Sequence, residues 1–451
     1  MSTQIVSRRR FLQLGSAASA FSMLPWPAQA SDLDDPRLAW FRKAKFGMFI
    51  HWGPYSLASV EASWPIMRPS EKWKITEAEY RALSQKFNPV KFDPDQFIDI
   101  ARSGGQQYMV LTTKHHDGFC MFDSDYTNHK ITKTPYGKDI LGMLSEACKR
   151  RGMPLGFYYS PPDLTHPGFR DTSKLAKENW GGEPERPEWS SYLDYMELQL
   201  TELLTRYGNC KVIWFDGLGH QRKYDGQRFL NLIHKLQPDT LVNDRIGVRG
   251  DFVTPEQFIP KAIPTKDVEV RAVDKSVVFH EGVPKASEFQ QWETCMTINN
   301  TWAYNANDHD FKSTQDLIRG LVEVASRGGN FLLNVGPQPD GLVQPEFQER
   351  LRGIGDWLEV NGESIFDTTY GPIQDVAGIR TTAGRDHIYV HLLESPNGPL
   401  TLPDFKRKVA SVRSLGTNQM LHFSQNERST TVNLADPSPA SSVNVLALRV
   451  V

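Results

Sequence analysis

Between residues 37 and 357, short apolar runs alternate with longer segments whose apolar residues recur at helical spacing. The runs 46–50, 108–112, 154–159, 211–215 and 331–335 are bounded by polar or glycine-rich loops. That is the pattern of strands buried on both faces of a parallel sheet. Between them, 95–103, 139–151, 189–207 and 314–327 predict helices. Strand–helix units repeated over more than 300 residues favour an α/β fold closed as a (β/α)8-like TIM barrel, though spacing alone leaves an open sheet as the alternative. Beyond about residue 367 the pattern changes. The segments 387–392, 408–413, 430–434 and 443–448 are short, often alternating, and separated by Pro, Gly, Asn and Asp. They predict a C-terminal antiparallel β-sandwich. The expected division is a barrel over 31–362 and a sandwich over 363–451, preceded by a leader.

The leader is Ser7-Arg8-Arg9-Arg10-Phe11-Leu12, a small and apolar stretch over 15–24, then Ala28-Gln29-Ala30. It reads as a signal peptide spanning 1–30, and its paired arginines resemble the twin-arginine export signal. The expectation is an exported protein, periplasmic or secreted. The apolar stretch is shorter than the ~20 residues that span a bilayer, so no membrane anchor is expected.

Composition narrows the picture further. Hydrophobic residues make up 39% and charged residues 23% of 451, with 11 Trp, which suits a large folded core. The net charge is −2 and the leader holds the one basic run, so no nucleic-acid partner is expected. Cys120, Cys148, Cys210 and Cys295 lie far apart without a CxxC pair. They predict buried free thiols rather than a zinc site or a disulfide framework.

Polar and aromatic residues fall directly after the predicted strands, where a barrel carries its catalytic rim. His51-Trp52-Gly53 follows the first strand, Lys114-His115-His116-Asp117-Gly118-Phe119 another, Tyr158-Tyr159-Ser160 the next and Asp216-Gly217 the one after. Asn243-Asp244-Arg245, Thr254-Pro255-Glu256 and Trp292-Glu293-Thr294 come later. A sugar presents hydroxyls to polar partners and C–H faces to aromatic rings. His51, His115, His116 and Arg245 can serve the first, and Trp64, Tyr158 and Trp302 the second. Glycoside hydrolysis needs two carboxyl groups, and Asp216, after an apolar strand and before a glycine, is the candidate nucleophile. Trp52 and Trp292 are equally readable as packing residues. Adjacent histidines diverge on a strand and no His-x-x-x-His accompanies His115 and His116, so no metal or other cofactor is expected.

The strings at 46–56, 114–119, 158–160, 214–217 and 328–334 resemble, in order, those of glycoside hydrolase family 29, the retaining α-L-fucosidases. The resemblance spans about 37–357. It implies a barrel with a C-terminal β-sandwich, no metal, a fucosylated glycan as substrate and displacement through a glycosyl-aspartate. It assigns Asp216 as nucleophile. His51, His115, His116 and Tyr158 would contact or surround the fucose, with Arg245 near the nucleophile, and Phe49 and Trp302 would surround the C5 methyl. Trp64 carries over. Glu256 stands at the spacing of the family's catalytic glutamate and is the first choice for acid/base, with Glu293 the runner-up or a polar brace. The chain departs from the family at Glu61-Ala62-Ser63-Trp64, where many members place Glu directly before Trp, so Glu61 joins the substrate-binding residues with the acidic role left open. Three other readings stay open: a retaining glycosidase for α-L-galactosides, a non-catalytic carbohydrate-binding barrel, and a metal-dependent hydrolase using His115 and His116.

Overall fold

The computed structural model describes residues 32–217, 221–266, 283–374, 376–396, 398–403, 405–434 and 443–451. The expected signal peptide lies outside them. Local chemistry explains the elements. In the helix Ile140–Arg151, the Asp139 carboxylate accepts the Gly142 N–H at one end, while Lys149, Arg150 and Arg151 face the negative end of the helix dipole at the other. Gly152, at φ 64°, takes the left-handed conformation that closes it. The helices Pro94–Ser103, Trp189–Arg206 and Thr314–Ser326 match three further sequence predictions to within a residue or so.

Seven parallel strands make the main sheet: β1 (Phe46–Ile50), β2 (Tyr108–Lys114), β3 (Leu155–Tyr159), β4 (Cys210–Phe215), β5 (Leu241–Val242), β6 (Glu293–Thr297) and β7 (Asn330–Val335). Their order is β5-β4-β3-β2-β1-β7-β6. The chain 252–256 fills the gap between the two edge strands. Phe252 bridges Asn243 beyond β5, while Val253 bridges Trp292 before β6 and Glu256 bridges Cys295 within it, all parallel. This irregular stave closes the TIM-like barrel. Inside it lie Phe41, Phe49, Tyr108, Val110, Tyr158, Val212, Trp214, Phe252, Cys295 and Leu332, a filled core rather than a pore.

The C-terminal region is antiparallel, as expected. A five-stranded sheet holds Val409–Ser414, Asn444–Val450, His387–Leu392, Ile379–Ala383 and Thr369–Tyr370 in that spatial order, and a three-stranded sheet holds Leu400–Pro403, Ser429–Val432 and Phe423–Gln425. Their inner faces share Ile388, Val390, Leu402, Val412, Val432 and Leu448. The sandwich also meets the barrel's helical layer, where the Trp357 indole N–H donates to the Val443 carbonyl at 2.9 Å.

All four cysteines are buried free thiols. Burial pushes Cys120, Cys148 and Cys210 up to about 12. No helix among the described residues is long and apolar enough to cross a membrane.

Candidate active site

Alternation along β1 turns Phe49 and His51 into the barrel and Trp52 out of it. The Trp52 indole donates to the Gln338 carbonyl and packs among Phe87, Phe92 and Phe97. Trp292 is likewise fully buried and donates to the Arg327 carbonyl, so both tryptophans are packing residues.

At the C-terminal mouth, four side chains from consecutive staves form a column that follows the strand order. His115 stacks on Tyr158 at 5.4 Å and 5°, and Tyr158 stacks on Trp214 at 5.7 Å and 15°. The Arg245 guanidinium carbon stands 4.6 Å from the Trp214 ring centre, an interaction of about 1–2 kcal/mol when desolvated. The column frames Asp216, the residue after β4. Its Oδ1 accepts from Arg245 Nη1 at 3.0 Å, its Oδ2 accepts from Tyr158 Oη at 2.8 Å, and His116 Nε2 lies 3.5 Å from Oδ2. Glu256, on the closing stave, accepts from the same Arg245 Nη1 at 2.7 Å. Thr254 fixes the guanidinium from the side, taking Nε–H on Oγ1 at 2.8 Å and Nη2–H on its carbonyl at 2.9 Å.

These surroundings split the two carboxyls. Burial pushes Asp216 up, but its contacts with His116 and Arg245 and the Tyr158 hydrogen bond outweigh it and hold the group below the usual carboxylate range. Glu256 lies above that range, because burial and the Asp216 charge overcome the pull of Arg245. One group is thereby kept ionised and the other is biased toward its protonated form.

Three imidazoles line the other side. His51 Nδ1 pairs with Asn334 Oδ1 at 2.7 Å, His115 Nδ1 with Ser63 Oγ at 2.7 Å and His116 Nδ1 with Ser160 Oγ at 2.6 Å. Burial drives His51 and His116 down to about 4 and His115 well below its ordinary value, so all three are neutral at pH 7. Trp302 is half-buried, with its ring 4.9 Å from His51 and 6.1 Å from Phe49. Trp64 follows Ser63 and carries the Arg68 guanidinium at 5.5 Å.

The structure bears on three sequence expectations. Glu293 opens β6 instead of following a strand, so it lies at the N-terminal end, below the pocket floor and away from the Asp216–Glu256 pair. There it accepts from Trp214 Nε1 at 2.9 Å and from Tyr108 Oη, and burial pushes it up to about 7. Glu61 accepts the backbone N–H groups of Trp302 and Ala303, each at 3.0 Å, bracing the loop that carries Trp302. The rings of His115 and His116 converge to 4.2 Å, because β2 ends at Lys114 and both lie in the turn beyond it. With Asp216 they bring one donor atom each within 4.8 Å of one another. A cation held there would share the Asp216 carboxylate with Arg245.

Sequence reasoning missed Ser63, Ser160, Thr254, Trp214 and Asn334. All five sit inside the quoted strings but were given no role there. The two serines meet their histidines across 52 and 44 residues of chain, and no local pattern announces such a pairing.

Comparison with known proteins agrees with this geometry. A family model described as alpha-L-fucosidase matches residues 18–363. Plasma alpha-L-fucosidase of Homo sapiens is 32% identical over 351 residues, covering 73% of this chain and 69% of that one. Among solved structures, alpha-L-fucosidase isoenzyme 1 from Paenibacillus thiaminolyticus aligns with a TM-score of 0.80 at 31% identity, over 92% of this chain and 99% of that one. A trapped covalent intermediate of a GH29 alpha-L-fucosidase from Bacteroides thetaiotaomicron, in complex with 2-fluoro-fucosyl fluoride, aligns with a TM-score of 0.78 at 26% identity, over 94% and 98%. The chain therefore belongs to the α-L-fucosidase family, glycoside hydrolase family 29.

Proposed function

We propose that the protein is an exported, retaining α-L-fucosidase that releases terminal α-L-fucose by two displacements. In the first, an Asp216 oxygen attacks the anomeric carbon while Glu256 gives its proton to the departing glycosidic oxygen. This leaves fucose esterified to Asp216. In the second, Glu256 takes a proton from water, the water oxygen attacks the same carbon, and Asp216 departs as carboxylate. His51, His115 and His116 meet the sugar hydroxyls as neutral imidazoles, and Phe49 and Trp302 pack on the C5 methyl.

The supporting observation is the shared contact with Arg245. Asp216 Oδ1 and Glu256 Oε2 both touch one Nη1, at 3.0 and 2.7 Å, so these two oxygens lie at most about 5.7 Å apart. So close an approach suits the ~5–5.5 Å separation of the carboxyl groups in retaining pairs. The covalent intermediate named for the Bacteroides thetaiotaomicron relative supports the same chemistry.

The test is stereochemical. NMR of the first product should show α-L-fucose, and Asp216→Gly should abolish hydrolysis in a folded protein and recover turnover with azide, giving the inverted fucosyl azide. Initial release of β-L-fucose, or wild-type turnover by Asp216→Gly, would refute the mechanism. Faster turnover of nitrophenyl α-L-galactoside than of the fucoside would instead move the substrate assignment.

A further inference from the structure

Beneath the pocket floor lies a carboxyl that the two displacements do not use. Glu293 is 1% exposed, and the two side chains that donate to it, Tyr108 and Trp214, belong to the apolar core inside the barrel. A methionine would fill similar volume without the cost of enclosing a polar group. What the carboxyl adds is direction. It accepts the Trp214 indole N–H at 2.9 Å and the Tyr108 hydroxyl, which come from β4 and β2, on either side of β3. Tyr108 reaches it because Gly47 has no side chain: a Cβ there would stand 2.5 Å from Tyr108 Cζ.

Trp214 in turn supports two other groups. Alternation along β4 turns it inward two residues before Asp216. Its ring carries Arg245 at 4.6 Å and Tyr158 at 5.7 Å. Those two side chains donate to the two oxygens of Asp216, at 3.0 and 2.8 Å. A buried indole N–H without an acceptor costs about 1–3 kcal/mol, enough to favour another ring orientation. Any such rotation withdraws the support from both donors together.

We infer that Glu293 is a positioning residue for Asp216: by holding the Trp214 indole, and being held by Tyr108, it fixes the ring that orients Arg245 and Tyr158 on the nucleophile. This rests on the reading of Asp216 as nucleophile. Glu293 touches no substrate.

The test compares Glu293→Gln with Glu293→Met on aryl α-L-fucosides of good and poor leaving groups. Glutamine keeps an acceptor for Trp214 and a partner for Tyr108, so kcat/KM should stay within about threefold of wild type. Methionine keeps the volume and removes both contacts. It should lower kcat by about 10- to 100-fold, equally for both leaving groups, with a smaller change in KM and no recovery with azide. Wild-type kcat in Glu293→Met would overturn the inference. So would a glutamine variant as impaired as methionine, spared on the better leaving group and restored by azide, since that is the signature of an acid/base. If Glu293→Met lacks native near-UV circular dichroism, Trp214→Phe, which keeps an aromatic face and drops the N–H, is read by the same criteria. Asp216→Gly in the same assay separates the two ideas. Activity there refutes the nucleophile, whereas its inactivity beside a fully active Glu293→Met refutes only the positioning role.

Discussion

Replacing Arg245 by Gln removes the charge that stands between Asp216 and Glu256 while keeping an amide donor. Arg245 is 4% exposed and touches both carboxylates through one nitrogen. Without it, two carboxylates ~5 Å apart at an effective dielectric of about 20 repel by about 3 kcal/mol. Since one pKa unit is about 1.4 kcal/mol, that repulsion is worth about two units, and one carboxyl takes up a proton. The direction follows from the present balance. Arg245 helps to hold Asp216 below the carboxylate range and tempers the rise of Glu256, so its loss lifts both. In kcat/KM the acid limb reports ionisation of the nucleophile and the alkaline limb deprotonation of the acid. Both limbs should move to higher pH, the acid limb by about 1–2 units. Stability follows the same linkage. The depressed Asp216 contributes stability above the unfolded carboxylate value, lost as pH falls through the folded one; in the variant a raised carboxyl instead destabilises the fold at neutral pH. The variant should therefore melt lower than wild type at about pH 7.5, with a smaller gap at about pH 5. The assay is the pH profile of kcat/KM on nitrophenyl α-L-fucoside, with thermal midpoints at both pH values. A profile that stays in place or moves to lower pH would refute the reasoning.

Glu61→Ala strands the N–H groups of Trp302 and Ala303, each a loss of about 1–3 kcal/mol, and should raise KM about tenfold with a smaller change in kcat; unchanged KM would show that the loop needs no such brace. Trp302→Ala should narrow the preference for L-fucoside over L-galactoside by about 1–3 kcal/mol, read as the ratio of their kcat/KM values. The four thiols should resist Ellman's reagent in the native protein and all react in denaturant, so early release from any one would contradict their burial. Export through the twin-arginine route predicts that Arg8→Lys together with Arg9→Lys leaves an uncleaved precursor in the cytoplasm, measured by fractionation; normal processing would exclude that route.

Strands with continuous apolar runs were legible because five of the barrel strands are buried throughout most of their length, and runs of that kind survive any detail of packing. β5 was harder: two residues, Leu241–Val242, give no periodicity to read. The closing stave makes isolated bridges rather than a ladder, so its chain carries no strand pattern at all. Glu293 shows the price of a missing boundary. Without knowing that β6 begins there, its sequence could not tell a barrel floor from a rim. Asp216 and the histidines were legible because their strands are clear and they follow them, and Arg245 because it stands in the Asn243-Asp244-Arg245 string. The hydroxyls and amide that set the imidazoles were not, since Ser63–His115 and Asn334–His51 are contacts of tertiary structure.

The closing stave has one more bearing on the enzyme. Asp216 follows a strand laddered on both sides, to β3 and to β5, whereas Glu256 sits where single bridges hold the chain and the next residue, Gln257, adopts φ 58°. Covalent attack on carbon tolerates little displacement, while a proton can be delivered over a range of approaches to whatever oxygen the departing group presents. On the proposed roles, the barrel gives a laddered wall to the atom that must not wander and a wall of single bridges to the one that must accommodate leaving groups of different shape. Changes in aglycone preference can accumulate in the loose wall without disturbing the sugar's own seat.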